Sequence, residues 1–145
     1  MKHAFTMIEL IFVIVIIGIL SAVAVPKFKG MRDQADISKG RADVSAVQSA
    51  ILSERQNRLI RGDSSWIAKL SDNNTTLFTH NSLLLYGIKS DTTDGHWTRT
   101  AVNTYLFRAA DTNVTFTYDN TNGKFTCDST SGTAQQNSLC KKLIN

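Results

Sequence analysis

A single carboxylate stands inside a long apolar run near the N-terminus. From Phe5 to Val25 the chain has 21 residues, and Glu9 is the only charged one among them. At 1.5 Å per residue, a helix of this length spans about 31 Å, close to the thickness of the hydrocarbon core of a bilayer. A charged side chain in such a span costs about 2.5–3.5 kcal/mol on insertion scales. The pattern therefore predicts a membrane helix, residues 5–25, in which Glu9 serves a purpose.

The residues around this run are arranged differently from those of a secretory signal. Such a signal places its small-residue cleavage site after the apolar stretch, whereas here the small residue Ala4 precedes it. Three runs are distinctive: Ala4-Phe5-Thr6-x-x-Glu9-Leu10, Ile17-Gly18-Ile19-Leu20 and Ala24-Val25-Pro26. Together they resemble the class III leader of type IV pilins and of the pseudopilins of type II secretion. That family usually has Gly where this chain has Ala4.

The resemblance implies how the N-terminus is processed. A prepilin peptidase would cut between Ala4 and Phe5 on the cytoplasmic side, removing residues 1–4 as a leader, and the new Phe5 amine would be methylated. The Glu9 carboxylate could then meet the Phe5 ammonium of a neighbouring subunit and fix the register between subunits, because an unpaired buried charge costs about 3–5 kcal/mol. The alternative is that Glu9 extends to the lipid headgroups.

The resemblance also implies a location and partners. The chain would cross the inner membrane once, with its N-terminus cytoplasmic and its C-terminal body periplasmic, and would then enter a periplasmic or surface filament. Partners would be membrane lipid, copies of itself or other pilin-like subunits, the peptidase, and an inner-membrane platform with its ATPase. Counting the basic residues beside the span (Lys27, Lys29 and Arg32) would by itself favour the opposite orientation, but long domains translocate largely regardless of charge.

The net charge of +4 is unevenly distributed. Residues 27–61 contain eight basic and four acidic side chains, whereas the chain after Arg61 has seven of each. A basic cluster attracts anionic lipid or nucleic acid, although most of these charges are explained as a solvated helix face. The leading hypothesis is a structural filament subunit, either a type II secretion pseudopilin or a type IV pilin. The alternative is a minor pilin of a competence system that binds DNA, to which Lys141-Lys142 could contribute.

Residues 26–61 have the pattern of an amphipathic helix that continues the membrane span. Pro26 removes a helical hydrogen bond and Gly18 adds looseness, so a kink is expected at these residues. Few breakers follow, which predicts one helix of about 55 residues ending near Gly62–Ser65. The small residues suit close helix packing or are simply good helix formers. A first stripe contains Met31, Ala35, Ser38, Ala42, Ala46, Ser49 and Leu52, and an adjoining face contains Ile37, Val44, Val47 and Ile51.

The C-terminal body, residues 62–145, has mainly strand character. Residues 66–95 are predicted to be a connecting segment with a short helix, and an Asn122-Gly123 turn indicates a hairpin before the last strand. The fold class is therefore α+β, a long N-terminal helix packed on a small antiparallel sheet, as in the pilin family. The predicted strands are Thr98–Val102, Thr104–Arg108, Asn113–Tyr118 and Lys124–Cys127, which are rich in Thr, Val, Phe and Tyr.

Cys127 and Cys140 enclose a polar segment that is predicted to be a loop. An exported body would lie in an oxidising compartment, where a disulfide closing this loop would stabilise by about 3 kcal/mol. It would resemble the disulfide-bounded C-terminal loop of many type IV pilins. Two unpaired thiols or a metal pair are the alternatives, the latter disfavoured by the lack of a Cys-x-x-Cys spacing.

Other chemistry is sparse, and the sequence predicts neither an enzyme nor a resident metal. His80 and His96 have no recognisable partner, and common hydrolase and phosphate-loop motifs are missing from the sequence. The run from Asp119 to Gly123 resembles part of a calcium loop, and major pseudopilins carry a C-terminal calcium site. A hairpin turn explains the same residues. The sequence predicts no other cofactor.

Two segments match the extended acidic acceptor pattern of bacterial N-glycosylation. They are Asp72-Asn73-Asn74-Thr75-Thr76 and Asp111-Thr112-Asn113-Val114-Thr115, with Asn74 and Asn113 as the acceptors. Because the chain is rich in Asn and Thr, a chance match is the alternative.

Overall fold

The computed structural model describes residues 5–145. The predicted leader, including Ala4, lies outside the described residues. The α+β class is confirmed, and the chain divides into two compact units, Met1–Gln34 and Ala35–Asn145. Within the described range the elements are α1 (Met7–Ile60), β1 (Thr76–Leu77), β2 (Ile88–Lys89), β3 (His96–Ala101), β4 (Thr104–Ala109), β5 (Thr112–Asp119), β6 (Lys124–Cys127) and α2 (Ala134–Ile144).

The predicted long helix is confirmed. Helix α1 contains 54 residues and includes both Gly18 and Pro26 without a break. A kink at these two residues stays a prediction. The helix ends at Ile60, just before Gly62, as the sequence predicted. Gly62 adopts φ +82°, its N–H donates to the Leu59 carbonyl (3.0 Å), and the Asp63 N–H donates to the Arg58 carbonyl (2.9 Å). This pair of bonds is a Schellman motif, which satisfies the last helical carbonyls.

The face of α1 that packs in the second unit is narrower than predicted. The first stripe, which includes Ala35, Ala42 and Leu52, was predicted to share in the packing, yet these residues are exposed. The physical reason is that a face with Ile and Val at four of its five positions removes more apolar area from water than a stripe in which five of the seven residues are Ala or Ser. The buried face has heptad-like spacing and consists of Ile37, Gly40, Val44, Val47 and Ile51.

Gly40 is part of this face because nothing larger fits there. A Cβ at this position would overlap the Phe107 ring on β4 and come within 2.8 Å of Leu143 Cδ2 on α2. The absence of a side chain at Gly40 therefore lets the Phe107 ring and Leu143 pack directly against the helix backbone.

The sheet is antiparallel, with strand order β3-β4-β5-β6. The strand at Lys124–Cys127 is confirmed as predicted, while β3 begins two residues earlier than expected, at His96. The Asn122-Gly123 turn is confirmed, with Gly123 at φ +73°. Side chains alternate along β5: Val114, Phe116 and Tyr118 are buried, and Thr115 and Thr117 between them are exposed.

Aromatic rings fill the space between the sheet and the adjoining segments. Phe78 lies 4.7 Å from Tyr105 between ring centroids, Trp97 lies 4.9 Å from Phe107, and all four side chains are fully buried. Phe116 and Phe125 extend the cluster. Aromatic pairs of this geometry add about 0.5–1.5 kcal/mol beyond the area they bury.

The connecting segment is held by buried hydrogen bonds rather than by regular structure. Tyr118 donates to the Ile67 carbonyl (2.8 Å), and the Ser71 hydroxyl contacts both the Phe78 N–H (2.8 Å) and the Tyr105 hydroxyl (3.0 Å). Burial raises the pKa of Tyr118 to about 12. The short helix predicted here is a three-residue 3-10 turn, His80–Ser82, with the β1–β2 ladder on either side of it.

The prediction of a polar loop up to Cys140 was wrong in its second half, because α2 begins at Ala134. Thr133 and Gln136 form a reciprocal capping box, and Leu139, Cys140 and Leu143 are buried. The segment did not look helical in the sequence because it is mostly polar and only three of its residues are buried. Cys127 and Cys140 form a disulfide with their Cα atoms 6.0 Å apart, so the predicted pairing is confirmed and joins β6 to α2.

Candidate assembly site at the start of the first helix

Thr6 caps the N-terminus of α1. Its carbonyl accepts from the N–H groups of Glu9 (3.1 Å) and Leu10 (3.3 Å), and its hydroxyl also accepts from the Glu9 N–H (3.3 Å). The order Thr6-x-x-Glu9 is that of a capping box, which the sequence contains and which our sequence reasoning missed. Glu9 therefore lies in the first helical turn, where the helix dipole favours a negative charge.

The helical surface beyond Glu9 is apolar, and its residues are exposed in the described part of the chain. The helix is long and apolar enough to cross a membrane, and none of its most apolar 18-residue window is buried. Phe5 is 74% exposed, Ile14 58% and Leu20 64%. Soluble monomers rarely expose contiguous apolar patches larger than a few hundred Å². Such a surface is suited to contact with lipid or with other apolar helices.

The site thus combines three properties in the described part of the chain. Phe5 is exposed ahead of the cap, Glu9 is exposed in the first turn, and the surface that follows carries no other charge as far as Val25. Chemically, a carboxylate in apolar surroundings can hold a cation brought by another molecule. Ala4, and with it the predicted cleavage site, lies outside the described residues.

The same segment matches a known family model. Residues 1–25 match the model of the prokaryotic N-terminal methylation motif. The chain carries a prepilin-type methylation motif. This motif covers Ala4, Phe5 and Glu9 together, as the resemblance predicted.

Relatives of known description are similar to about a third of the chain. The chain is 56% identical over 46 residues to the type IV narrow pilus major component PilA5 of Thermus thermophilus, covering 32% of this chain and 40% of the relative. It is 42% identical over 50 residues to the type II secretion system core protein G of Klebsiella michiganensis (34% and 35%). A fimbrial protein of Pseudomonas aeruginosa is 39% identical over 49 residues (34% and 32%).

Each of these similarities covers only about a third of the chain. The alignments also span 40% or less of the length of these relatives. No solved structure matches the chain significantly. The described body must therefore be interpreted from its own residues.

The other predicted sites belong to the second unit. His80 Nδ1 lies 2.7 Å from Asp72 Oδ1, and His96 contacts the Thr93 hydroxyl (3.1 Å) and the Asp94 carbonyl (3.0 Å). Both imidazoles are half-buried. Each therefore has a local polar partner that the sequence did not indicate.

The proposed calcium loop is arranged as a hydrogen-bonded turn. Asp119 Oδ1 accepts from the Thr121 N–H (2.9 Å) and hydroxyl (2.7 Å), and Oδ2 accepts from the Asn122 amide (2.6 Å). These bonds hold the pKa of Asp119 below its usual range, with the Thr121 bonds contributing most. Among residues 5–145, no group of three or more His, Cys, Asp or Glu side chains is placed to hold a metal. Calcium binding stays a prediction.

Proposed function

We propose that this protein is a structural subunit of a type IV pilus-like filament, either a type II secretion pseudopilin that serves protein export or a type IV pilin. The observation that carries the proposal is an exposed apolar helix with one carboxylate, four residues after the Phe5 of a methylation motif. Such a helix is stable in lipid as a precursor and among apolar helices once assembled.

Glu9 supplies the selectivity of assembly. Cleavage before Phe5 creates a new ammonium beside the positive end of the α1 dipole, where a cation is unfavourable. A Glu9 carboxylate from a neighbouring subunit neutralises that ammonium, and the pair forms only when the two helices are displaced by the correct axial step. A wrong step leaves both charges unpaired in apolar surroundings, which costs several kcal/mol.

Processing, topology and partners follow from the same proposal. The peptidase removes residues 1–4 on the cytoplasmic side, the Phe5 amine is methylated, and residues 26–61 and the body lie in the periplasm. The Cys127–Cys140 disulfide supports an oxidising location for the body. Similar subunits, an inner-membrane platform and its ATPase complete the machinery. The names of the relatives are those of pilus and secretion components, which supports a structural role rather than an enzymatic one.

Three variants of Glu9 separate pairing from helix capping. Glu9→Ala removes both the charge and the side chain that a capping box would use, Glu9→Gln keeps a capping-box residue without the charge, and Glu9→Asp keeps the charge. We expect the first two to abolish filaments on cells and the third to retain them in part. Immuno-electron microscopy of sheared filaments measures this, with membrane levels of each variant as the control.

Normal filaments from the Glu9→Gln variant would contradict the pairing, since they would show that capping alone accounts for Glu9. Intact mass of the assembled subunit tests the processing separately. The expected protein lacks Met1–Ala4 and carries one added methylene on Phe5.

DNA binding by a competence minor pilin stays a prediction. Lys141 and Lys142 lie exposed on the last turn of α2, and Arg41 donates twice to the Lys142 carbonyl, at 2.9 and 2.7 Å. The three cations share one surface, but the guanidinium already caps the helix. Nothing in the comparisons favours this alternative over a filament subunit.

A further inference from the structure

Two segments of the body share one acceptor pattern, Asp-x-Asn-x-Thr. One lies in an exposed bend and the other in strand β5. We propose that Asn74 is an N-glycosylation site that accepts an oligosaccharide from a lipid pyrophosphate, and that Asn113 is not. The proposal rests on the proposed function in one respect, because the body must be exported to reach such a donor.

Asn74 lies in an exposed bend between α1 and β1. The preceding residue, Asn73, closes the bend: its Oδ1 accepts from the Thr75 N–H (3.0 Å), the Thr75 hydroxyl (3.0 Å) and the Thr76 N–H (2.8 Å). Asn74 is left at the outside of this turn. Its side chain has one hydrogen bond within residues 5–145, a long one of 3.4 Å from Arg99 Nη1 to Oδ1. The nucleophilic amide nitrogen is therefore available to an approaching enzyme.

The acid of the pattern is presented as a charge. Asp72 lies two residues before Asn74, and its side chain is 50% exposed. Hydrogen bonds from Lys69 (2.9 Å) and then His80 (2.7 Å) hold the pKa of this carboxyl below its usual range. The carboxylate is consequently ionised at neutral pH. An enzyme that recognises the charge of an acid at this position can reach the Asp72 carboxylate, which is exposed and held in place by Lys69 and His80.

The segment can also be distorted at low cost. A transferase must bind the acid, the Asn and the Thr of the pattern at the same time. The five residues of the pattern therefore have to bend away from the surface of the body. Here they consist of a bend and the first residue of β1, a ladder of only two residue pairs. Exposed loops of this kind are the sites where modifying enzymes and proteases gain access.

Asn113 carries the same pattern in a rigid setting. It is the second residue of β5, opposite Arg108 of β4, and its carbonyl accepts from Gln136 Nε2 of α2 (3.1 Å). The next residue, Val114, is buried in the core. Bending this segment outward would break the central ladder of the sheet, detach α2 and expose Val114 to water. The folded body therefore protects Asn113 although its side chain is exposed.

The reaction balances without a redox partner. Nδ2 of Asn74 forms a bond to the anomeric carbon of the oligosaccharide, and the bond from that carbon to the pyrophosphate oxygen breaks. The amide proton passes to a base of the transferase, and the lipid pyrophosphate leaves. The protein gains the mass of the glycan residues.

The test uses the full chain in a bacterial host that makes one defined lipid-linked oligosaccharide and its oligosaccharyltransferase. Intact mass and glycopeptide mapping are measured for the wild type and for Asn74→Gln, Asp72→Asn and Asn113→Gln. We expect one glycan on Asn74 in the wild type, its loss in the first two variants, and its retention in the third. Asn73→Gln is the matched control, since it keeps the pattern around Asn74 and should keep the glycan.

A glycan on Asn113 would overturn the inference. So would an unmodified chain whose Cys127–Cys140 disulfide is oxidised, when a reference acceptor in the same cells is modified. An unmodified chain with both thiols reduced would show that the body was never exported. That result would refute the proposed function and this inference with it.

Discussion

The interaction between Asp43 and Trp97 places a carboxylate against the aromatic core. Trp97 Nε1 donates to Asp43 Oδ2 at 3.0 Å, and the indole is fully buried. Burial raises the pKa of Asp43, while the Trp97 bond and the charges of Lys39 and His96 lower it to a smaller extent. The bond orients the indole, and the charge of Asp43 is the unfavourable part of the arrangement.

Substitutions at Asp43 separate these two effects. Asp43→Ala leaves a buried N–H without an acceptor and should cost about 1–3 kcal/mol of unfolding free energy. Asp43→Asn keeps an acceptor without the charge and should cost much less. Because the folded pKa lies above the unfolded one, the unfolded chain releases this proton first as pH rises. Wild-type stability relative to Asp43→Asn should therefore fall as pH rises above 3.8.

Urea denaturation of both proteins at several pH values between 3 and 7 measures the difference. Other carboxyls, such as Asp63 with its lowered pKa, affect both proteins equally and cancel. A difference that does not change with pH would mean that the Asp43 pKa is unshifted.

At the scale of elements, the contact of α1 with the sheet depends on Gly40, which has no side chain. Gly40 lets the Phe107 ring and Leu143 reach the helix backbone, whereas Gly30 of the same helix has no atom within 4 Å of a built Cβ. Ala favours a helix interior over Gly by about 1 kcal/mol. Overpacking a core costs about 1–3 kcal/mol. The two positions should therefore respond to the same substitution in opposite directions.

Gly40→Ala should lower the thermal midpoint of the body, and Gly30→Ala should leave it unchanged or raise it slightly. Near-ultraviolet circular dichroism of the full chain in detergent follows the aromatic core directly. A thermal midpoint for Gly40→Ala at or above that of the wild type would show that the sheet can move away from α1 without a loss of stability.

At the scale of the whole molecule, the two units place different demands on their surroundings. The unit Ala35–Asn145 contains the buried core and the disulfide. The other unit has an uncovered apolar helix within its described part. A fragment of residues 35–145 should therefore fold without detergent, whereas the full chain should need a membrane or detergent.

The fragment should unfold in one cooperative transition, with an unfolding free energy of about 5–15 kcal/mol, as for other domains of its size. Sedimentation and circular dichroism in aqueous buffer measure this, and detergent phase partitioning of the full chain is the comparison. Aggregation of the oxidised fragment would show that residues 5–34 contribute to the folding of the body.

The sequence by itself determined the features that depend on neighbouring residues. The uninterrupted apolar run, the lone Glu9, the glycine stop at Gly62 and the Asn122-Gly123 turn act through local backbone and solvation energies. The long helix, its end and the hairpin were therefore predicted correctly. The short polar helix α2 was missed because its stability comes from Leu139, Cys140 and Leu143 packing on distant strands.

Only the tertiary structure decided which of several equivalent patterns is used. Two apolar stripes on α1 were plausible, and the branched one is buried because it fills the space above the aromatic core. Two identical acceptor patterns differ because one lies in a bend and the other in a central strand. Such choices depend on contacts between residues far apart in the chain, and the periodicity of a single segment does not contain them.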